Sequence, residues 1–396
     1  MTKRFKVMHV VTTLELGGAQ KNTLYTVELL DRMKYELFLV IGEEGILREN
    51  NHDFKDVQVF LLKNLVRKIS FLKDFLALFQ LYRLIRRHKI DVIHTHSTKA
   101  GILGRIAAKL AFVPVIIHTA HGWGFHNFQN PLQKKIYILF ERFCAFFSSS
   151  LVAVSDETIH RGLKEKIGKK EKYVKIHSAI EGEKFCRVSC DRIKKRKELG
   201  LREGDFVVLN IACFKPQKNH FDLIEAARDI VELVPHAKFV LVGDGELRES
   251  IASKISSCHL EENFLLLGWR QDVPELMKVA DLIGMTSLFE GLPQVCLQAL
   301  AVGKPMVMYG VDGIKEVIES GKNGFVITPK DKHGFAQRVI ELAKEPARLR
   351  EMEQESLKRW KVEYDIADMV KKIDFLYQCY LPDFIPSLEY RQQRAL

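Results

Sequence analysis

Along the chain, short runs rich in β-branched and aromatic residues alternate with longer stretches whose apolar positions recur at i, i+3 and i+4. FKVMHVV, YELFLVI, VQVFLL, DVIHTH, VPVIIHTA and SLVAVS are apolar almost throughout, which predicts strands buried on both faces in a parallel sheet. Stretches such as 71–88 and 98–111 carry the helical period between them. The pattern restarts at Phe206 with FVVLNIA, AKFVLVG, NFLLLG, ADLIGMT, KPMVMYG and GFVIT, and helices are expected to open near Asn219, Leu247, Val273, Pro293 and Ile314. This order predicts an α/β chain of two Rossmann-like, doubly wound domains in tandem. Their ligand-binding edges, beyond the carboxyl ends of the strands, are expected to face a central cleft. The segment 194–205, KKRKELGLREGD, is charged and strandless and reads as a boundary, giving domains 1–187 and 188–375. The tail 361–380 has helical spacing, its last residues are polar, and a helix over about 376–396 is expected to pack back on the first domain.

Composition narrows the class. The 396 residues are 47% hydrophobic and 28% charged, which excludes disorder, collagen and coiled coil. Seven scattered cysteines with no Cys-x-x-Cys pair predict free thiols in a reducing compartment. The apolar run at the N-terminus is too short for a signal peptide. The uncharged stretch Phe143 to Ser155, with four serines, falls short of the roughly 20 apolar residues a spanning helix needs. A cytoplasmic location follows as an expectation. The net charge of +11 is uneven, +13 over residues 1–187 and −2 over 188–396.

Several loops carry candidate chemistry. Gly17 and Gly18 sit between the first strand and a helix; paired glycines admit a ligand to the backbone, and a helix start favours an anion. A tight turn needing positive φ explains them equally, and adjacent glycines are not the dinucleotide fingerprint G-x-G-x-x-G. In the second half, Glu290-Gly291-Leu292-Pro293 follows a strand, with Pro293 suited to a first helical turn, so the amides near Gly291 and Leu292 are aimed at a phosphate. Glu290 and Gln298 are then placed to reach a sugar and a ribose; the plain alternative is a solvated glutamate before an amphipathic helix. Lys215 and Lys218, also after a strand, can each act as a point charge on a diphosphate or stand as surface lysines. His94 and His96 alternate on one strand and share a face, but no third ligand has an obvious spacing, so no metal is expected. His118 and His121 lie at the end of the strand VPVIIHTAH.

As a set, the GGAQ loop, DVIHTHSTKAGILGRIAA, Thr119-Ala120-His121, PQKN, LVGDGELR, FLLLGWRQDVPELMKVADL, the Glu290 segment, GKPMVMYGVDGIKEVI and GKNGFVI resemble the retaining glycosyltransferases of family four. The resemblance runs from about residue 5 to about 380. It implies the GT-B architecture, an acceptor-binding N-terminal domain and a C-terminal domain for a nucleoside diphosphate sugar. That donor is a substrate, and no cofactor or metal is implied. HTAHGWGF and ACFKPQKN look like members that build capsule, O-antigen or exopolysaccharide units on lipid-linked acceptors. The resemblance makes Glu290 and His121 catalytic, His121 touching the donor sugar. It makes Gly17, Gly18, Lys218, Arg270, Gly291, Leu292, Pro293 and Gln298 donor-binding. It implies front-face attack with retention, the departing phosphate taking the acceptor's proton, so that no protein nucleophile is required. Two positions depart from the pattern: the second of two glutamates is Gln298, and a phosphate-binding arginine is Cys213.

Residues 61–90 hold eight cations against Asp74 alone, with Phe71, Phe75, Phe79, Tyr82 and Ile85 at helical spacing. Either the helix covers its own sheet and presents a solvated basic face, or it meets anionic lipid headgroups beside a polyprenyl-diphosphate acceptor. Asn127 to Phe147 adds a second aromatic, basic stretch. No recognised RNA or DNA motif accompanies the charge, which disfavours a nucleic-acid binder. The sequence therefore reads as a transferase moving a hexose or N-acetylhexosamine onto a membrane-borne saccharide. A donor-binding but inactive scaffold is the alternative that Gln298 and Cys213 suggest.

Overall fold

A computed structural model describes residues 4–15, 17–43, 54, 56–126 and 128–381. Leu16, Asn127 and the tail beyond residue 381 lie outside it. The chain forms two compact units, one made of residues up to Ser178 together with those from Ile366 onward, the other of Ala179–Asp365.

The first unit is built on strands β1 (Phe5–Thr13), β2 (Tyr35–Glu43), β3 (Val57–Leu61), β4 (Val92–His96), β5 (Val115–Ala120), β6 (Ser150–Ala153) and β7 (Tyr173–Lys175). All neighbours are parallel, in the order β3-β2-β1-β4-β5-β6-β7. Every residue of β4 and β5 is buried, as two-sided coverage by helices requires. On one face Met8, Val10, Phe38 and Ile93 pack with Ala77, Leu81 and Ile85 of the helix Phe71–His88 and with Ala107 of the helix Thr98–Leu110. On the other, Val11, Leu39 and Ile41 meet Leu24 and Val27 of the helix Gly18–Leu29.

The second unit is a six-stranded parallel sheet of β8 (Phe206–Ile211), β9 (Ala237–Val242), β10 (Phe264–Gly268), β11 (Leu282–Met285), β12 (Met306–Tyr309) and β13 (Gly324–Ile327). Its order is β10-β9-β8-β11-β12-β13. Each sheet therefore reverses direction once, between β1 and β4 and between β8 and β11, and such switch points are where doubly wound sheets hold ligands. Helices begin at His220, Arg248, Val273, Gln294 and Ile314, within a residue of the positions expected from periodicity.

The boundaries move from those read in the sequence. The first lies at Ser178/Ala179 rather than 187/188, because the Ile180 amide donates to the Tyr364 carbonyl (3.0 Å) and the Gly182 amide to Asp365 Oδ2 (3.0 Å), tying 179–187 to the second unit. The charged segment 194–205 is no linker. Arg196 lies buried, donating to the carbonyls of Val279, Glu203 and Asp205 and to Asp281 Oδ2 at 2.7 to 3.0 Å, so its guanidinium staples the segment to the sheet. The returning helix is Ile366–Gln378, starting ten residues before the expected 376. It packs on the helix Gly18–Leu29 through an apolar stripe of Met369, Val370, Ile373, Leu376 and Tyr377, and Tyr35 donates to its Asp374 at 2.6 Å. Strand β7 was unforeseen: three residues among lysines carry too little pattern.

Candidate active site

In the second unit the loops leaving β8 and β11 interlock at the switch point. Lys218 closes a 3₁₀ turn, and Asn219 in the left-handed region (φ 50°) starts the next helix. The Leu288 amide donates to the Gln217 carbonyl (2.9 Å), the Gln217 amide nitrogen to the Phe289 carbonyl (2.7 Å), and the Thr286 hydroxyl to the Asn219 carbonyl (2.9 Å). This stitching places Lys218 Nζ 2.5 Å from Glu290 Oε1, with both side chains largely buried. Burial acts most strongly on the Lys218 ammonium and pulls its pKa down, but the Glu290 carboxylate outweighs it and the net shift is upward. The Glu290 backbone is held independently, its amide donating to Asp312 Oδ2 at 2.8 Å.

Glycine matters at the neighbouring LVGDGELR loop, where Gly243 (φ 137°) and Gly245 (φ 155°) sit in conformations that side chains rarely adopt. A Cβ on Gly243 would stand 2.0 Å from the Ala212 carbonyl oxygen. That contact brings the β9 loop against the β8 loop, with the Phe214 amide donating to the Asp244 carbonyl.

Gly291 and Leu292 lead into the helix Gln294–Val302, and Gln298 is buried within it. Pro293 occupies the N-cap rather than the first turn, since the helix begins one residue later. The amides of Gly291 and Leu292 find no acceptor among the described residues, consistent with an anion-binding helix start. Cys213 is a partly exposed free thiol at the head of the β8 loop. Arg270, just after β10, donates through Nε and Nη2 to both carboxylate oxygens of Asp272 (2.8 and 2.6 Å), and Lys195 reaches the same carboxylate (2.7 Å). These two cations hold Asp272 well below the usual carboxylate range.

In the first unit Gly17 is extended (φ −168°), a backbone any residue adopts, which removes the positive-φ turn as the reason for the Gly17-Gly18 pair. A side chain at Gly17 would meet the Gln20 side chain. Gly18 opens the helix Gly18–Leu29, which no side chain caps.

The histidines form a buried cluster. His96 Nδ1 and His121 Nε2 lie 3.1 Å apart, as do His96 Nε2 and His9 Nδ1. His9 Nε2 lies 3.3 Å from the Tyr377 hydroxyl, which lies 2.5 Å from His94 Nδ1. His94 Nε2 is 2.6 Å from Thr119 Oγ1. Burial holds His9 down to about 3 and His121 to about 4, and, with neighbouring imidazoles, pushes His94 and His96 well below their ordinary value. Burial therefore favours the neutral form of all four rings. His9 and Tyr377 escaped sequence reasoning: His9 faces His94 only through the β1–β4 register, and Tyr377 arrives from the far end of the chain. His9, His94 and His96 do bring three ring nitrogens within 4.8 Å of one another, the third ligand that spacing did not reveal. Every ring nitrogen of the three already has a hydrogen-bonding partner.

Comparison with known proteins agrees with these two sheets. Residues 16–182 match the family described as Glycosyltransferase Family 4, and residues 191–359 match Glycosyl transferases group 1. The chain is 34% identical over 340 residues to the UDP-Gal:alpha-D-GlcNAc-diphosphoundecaprenol alpha-1,3-galactosyltransferase of Escherichia coli, covering 85% of this chain and 87% of that protein. It is 28% identical over 323 residues to the putative glycosyltransferase EpsD of Bacillus subtilis, covering 80% and 84%. HepE of Anabaena, crystallised with UDP and glucose, superposes with a TM-score of 0.81 at 21% identity, covering 95% of this chain and all of that one. No helix among the described residues is long and apolar enough to cross a membrane. With a relative this similar over most of its length, and with both halves matched, the chain belongs to the family-four glycosyltransferases of GT-B fold.

Proposed function

We propose that this enzyme transfers a hexose or N-acetylhexosamine from a UDP-sugar to a polyprenyl-diphosphate-linked saccharide in the synthesis of a cell-surface glycan, with retention of configuration. The observation that carries this reading is the Lys218–Glu290 pair, set beside the uncapped start of helix 294–302 at the switch point. Lys218 and that helix start neutralise the leaving diphosphate, Glu290 orients the sugar, Gln298 the ribose, and His121 contacts the sugar. No metal, prosthetic group or protein nucleophile takes part in this scheme. Incubating the protein with a panel of UDP-sugars and GlcNAc-diphosphoundecaprenol, with and without chelator, tests it: a chelator-insensitive α-linked disaccharide lipid is expected. No product from any donor would refute it.

The acceptor implies a lipid surface, and the structure favours one. Phe71, Phe75 and Phe79 are 90%, 67% and 50% exposed, so the helix covers its sheet with Ala77, Leu81 and Ile85 and leaves a second apolar face outward. Leu139, Phe143 and Phe146 of the helix Pro131–Phe147 are exposed too, and helix 98–110 packs against both helices. Lys63, Arg67, Lys68, Lys73, Arg83, Arg86, Arg87 and Lys89 are all exposed, so aromatic and cationic groups share one region, as interfacial helices do. Co-sedimentation is expected with phosphatidylglycerol vesicles and not with phosphatidylcholine. The triple change Phe71→Ser, Phe75→Ser, Phe79→Ser should weaken it more than roughly tenfold, since each aromatic loses a buried apolar contact. Equal binding by the triple variant would remove this helix from the surface.

Gln298 decides donor affinity in this scheme. Gln298→Glu restores a charge-assisted ribose contact and should tighten UDP-sugar binding by on the order of 1 kcal/mol. If the missing cation at Cys213 leaves the new carboxylate repelled by the diphosphate, tightening should appear only when Cys213→Arg is added. Calorimetry on both single variants and the double separates these cases, and no change in any of them would show that position 298 does not touch the donor.

A further inference from the structure

Within the first unit, hydrogen bonds link six side chains in series. Thr119, His94, Tyr377, His9, His96 and His121 form one unbranched chain of five contacts, running through both ring nitrogens of His94, His9 and His96. Apart from His121 at its end, the members are buried from water. A neutral imidazole has one N–H donor and one bare acceptor nitrogen, and a hydroxyl has one hydrogen. If a ring accepts on one nitrogen it must donate from the other, and the buried Tyr377 hydroxyl, whose partners among the described residues are His94 and His9, would strand its own hydrogen if it accepted from both, so the contacts all point the same way. Six hydrogens serve five contacts, and the extra hydrogen lies at one end of the chain.

The ends differ. In one direction Thr119 accepts from His94 and must send its own hydrogen elsewhere, but its hydroxyl has no acceptor other than His94 among the described residues. In the other direction Thr119 donates to His94 Nε2, His94 Nδ1–H to Tyr377, Tyr377 to His9 Nε2, His9 Nδ1–H to His96 Nε2, and His96 Nδ1–H to His121 Nε2. The extra hydrogen then sits on His121 Nδ1, the atom that is buried with no protein partner. A buried donor without a partner is costly, and an oxygen of a bound ligand would satisfy it.

We propose that His9, His94, His96, Tyr377 and Thr119 are positioning residues that order the protons of this chain and hold His121 in the Nδ1–H tautomer, as a neutral hydrogen-bond donor to an oxygen of the donor sugar. This rests on the reading of His121 as a sugar contact. It assigns His121 donation rather than general-base chemistry, because its bare nitrogen is occupied by His96. It also gives the returning helix Ile366–Gln378 a purpose beyond packing, since its Tyr377 links His94 to His9. Ion capture by His9, His94 and His96 would require breaking these contacts.

The test uses the full-length protein with 15N-labelled histidine, whose two-bond nitrogen–proton correlations distinguish the tautomers. His9, His94, His96 and His121 are all expected to show Nδ1–H, the form less favoured by free histidine in water. Tyr377→Phe cuts the chain and Thr119→Val removes its directing hydrogen; each should leave His121 a mixture of tautomers. Each should also slow transfer by roughly 10- to 100-fold, the usual effect of removing a residue that orients a functional one. Should Tyr377→Phe not fold, Thr119→Val carries the same expectation. Nε2–H at His121 in the unaltered protein, or an unchanged tautomer in both variants, overturns the proposal. Stoichiometric zinc in the purified protein also overturns it, in favour of a metal site. Full transfer by His121→Ala would instead refute the sugar contact itself, while the tautomer measurement would still stand.

Discussion

Replacing Glu290 by alanine should abolish transfer, at least a roughly 10³-fold loss in kcat/KM, while the protein stays folded. The loop keeps its shape without this carboxylate, because the Glu290 amide is held by Asp312 and the Leu288 and Gln217 bonds stitch the two loops together. What disappears is the group 2.5 Å from Lys218, leaving that ammonium largely buried without its counter-charge. Glu290→Gln, which still accepts from Lys218, separates charge from hydrogen bonding and should recover only a small part of the activity. Lys218→Ala should weaken free UDP as well as the sugar donor, and the double variant should lose less than the two single losses combined, since the residues act as a unit. Turnover, UDP affinity and circular dichroism of the four proteins provide the measurement. Near-normal turnover by a folded Glu290→Ala protein would remove Glu290 from the reaction, and unchanged UDP affinity in Lys218→Ala would move the phosphate site elsewhere.

The largest loss of stability is expected from Glu141→Ala. Arg105 and Glu141 are an ion pair at 2.6 Å with side chains 0% and 2% exposed, joining helix 98–110 to helix 131–147. Arg105 Nε also donates to the Gly101 carbonyl at 2.8 Å. Truncating the glutamate leaves a buried guanidinium without its counter-charge, at a cost of about 3–5 kcal/mol. Replacing both residues, Arg105→Met with Glu141→Leu, should be less harmful than the single change, since the desolvation cost of both charges also vanishes. Trp123 is buried in the same unit, so urea unfolding followed by its fluorescence, with Trp269 and Trp360 changed to phenylalanine, reports on this unit alone. A loss below about 1 kcal/mol would show that the arginine finds another partner or water.

Much of this was legible in the amino-acid sequence because it is written in local pattern. Continuous apolar runs need cover on both faces, so parallel sheets follow from composition of the strands alone. Helix starts after a strand, such as those near Asn219 and Pro293, carry their own turn chemistry and were placed within a residue. Glu290 and Lys218 could be singled out because residues just after strands lie at the ligand-binding edge of any doubly wound sheet. The tertiary structure decided the rest, wherever partners are far apart in sequence. The 2.5 Å approach of Lys218 to Glu290 spans 72 positions, and the meeting of His94 with Tyr377 spans 283. Local periodicity cannot encode these; register and crossover geometry do. Arg196 shows the same limit, since a charged stretch reads as a linker until the carbonyls that bind its guanidinium are brought to it. So does the helix Phe71–His88, whose aromatic spacing could not tell which face the sheet would take: short Ala77 and Leu81 fit against the sheet, and the phenylalanines were left outward.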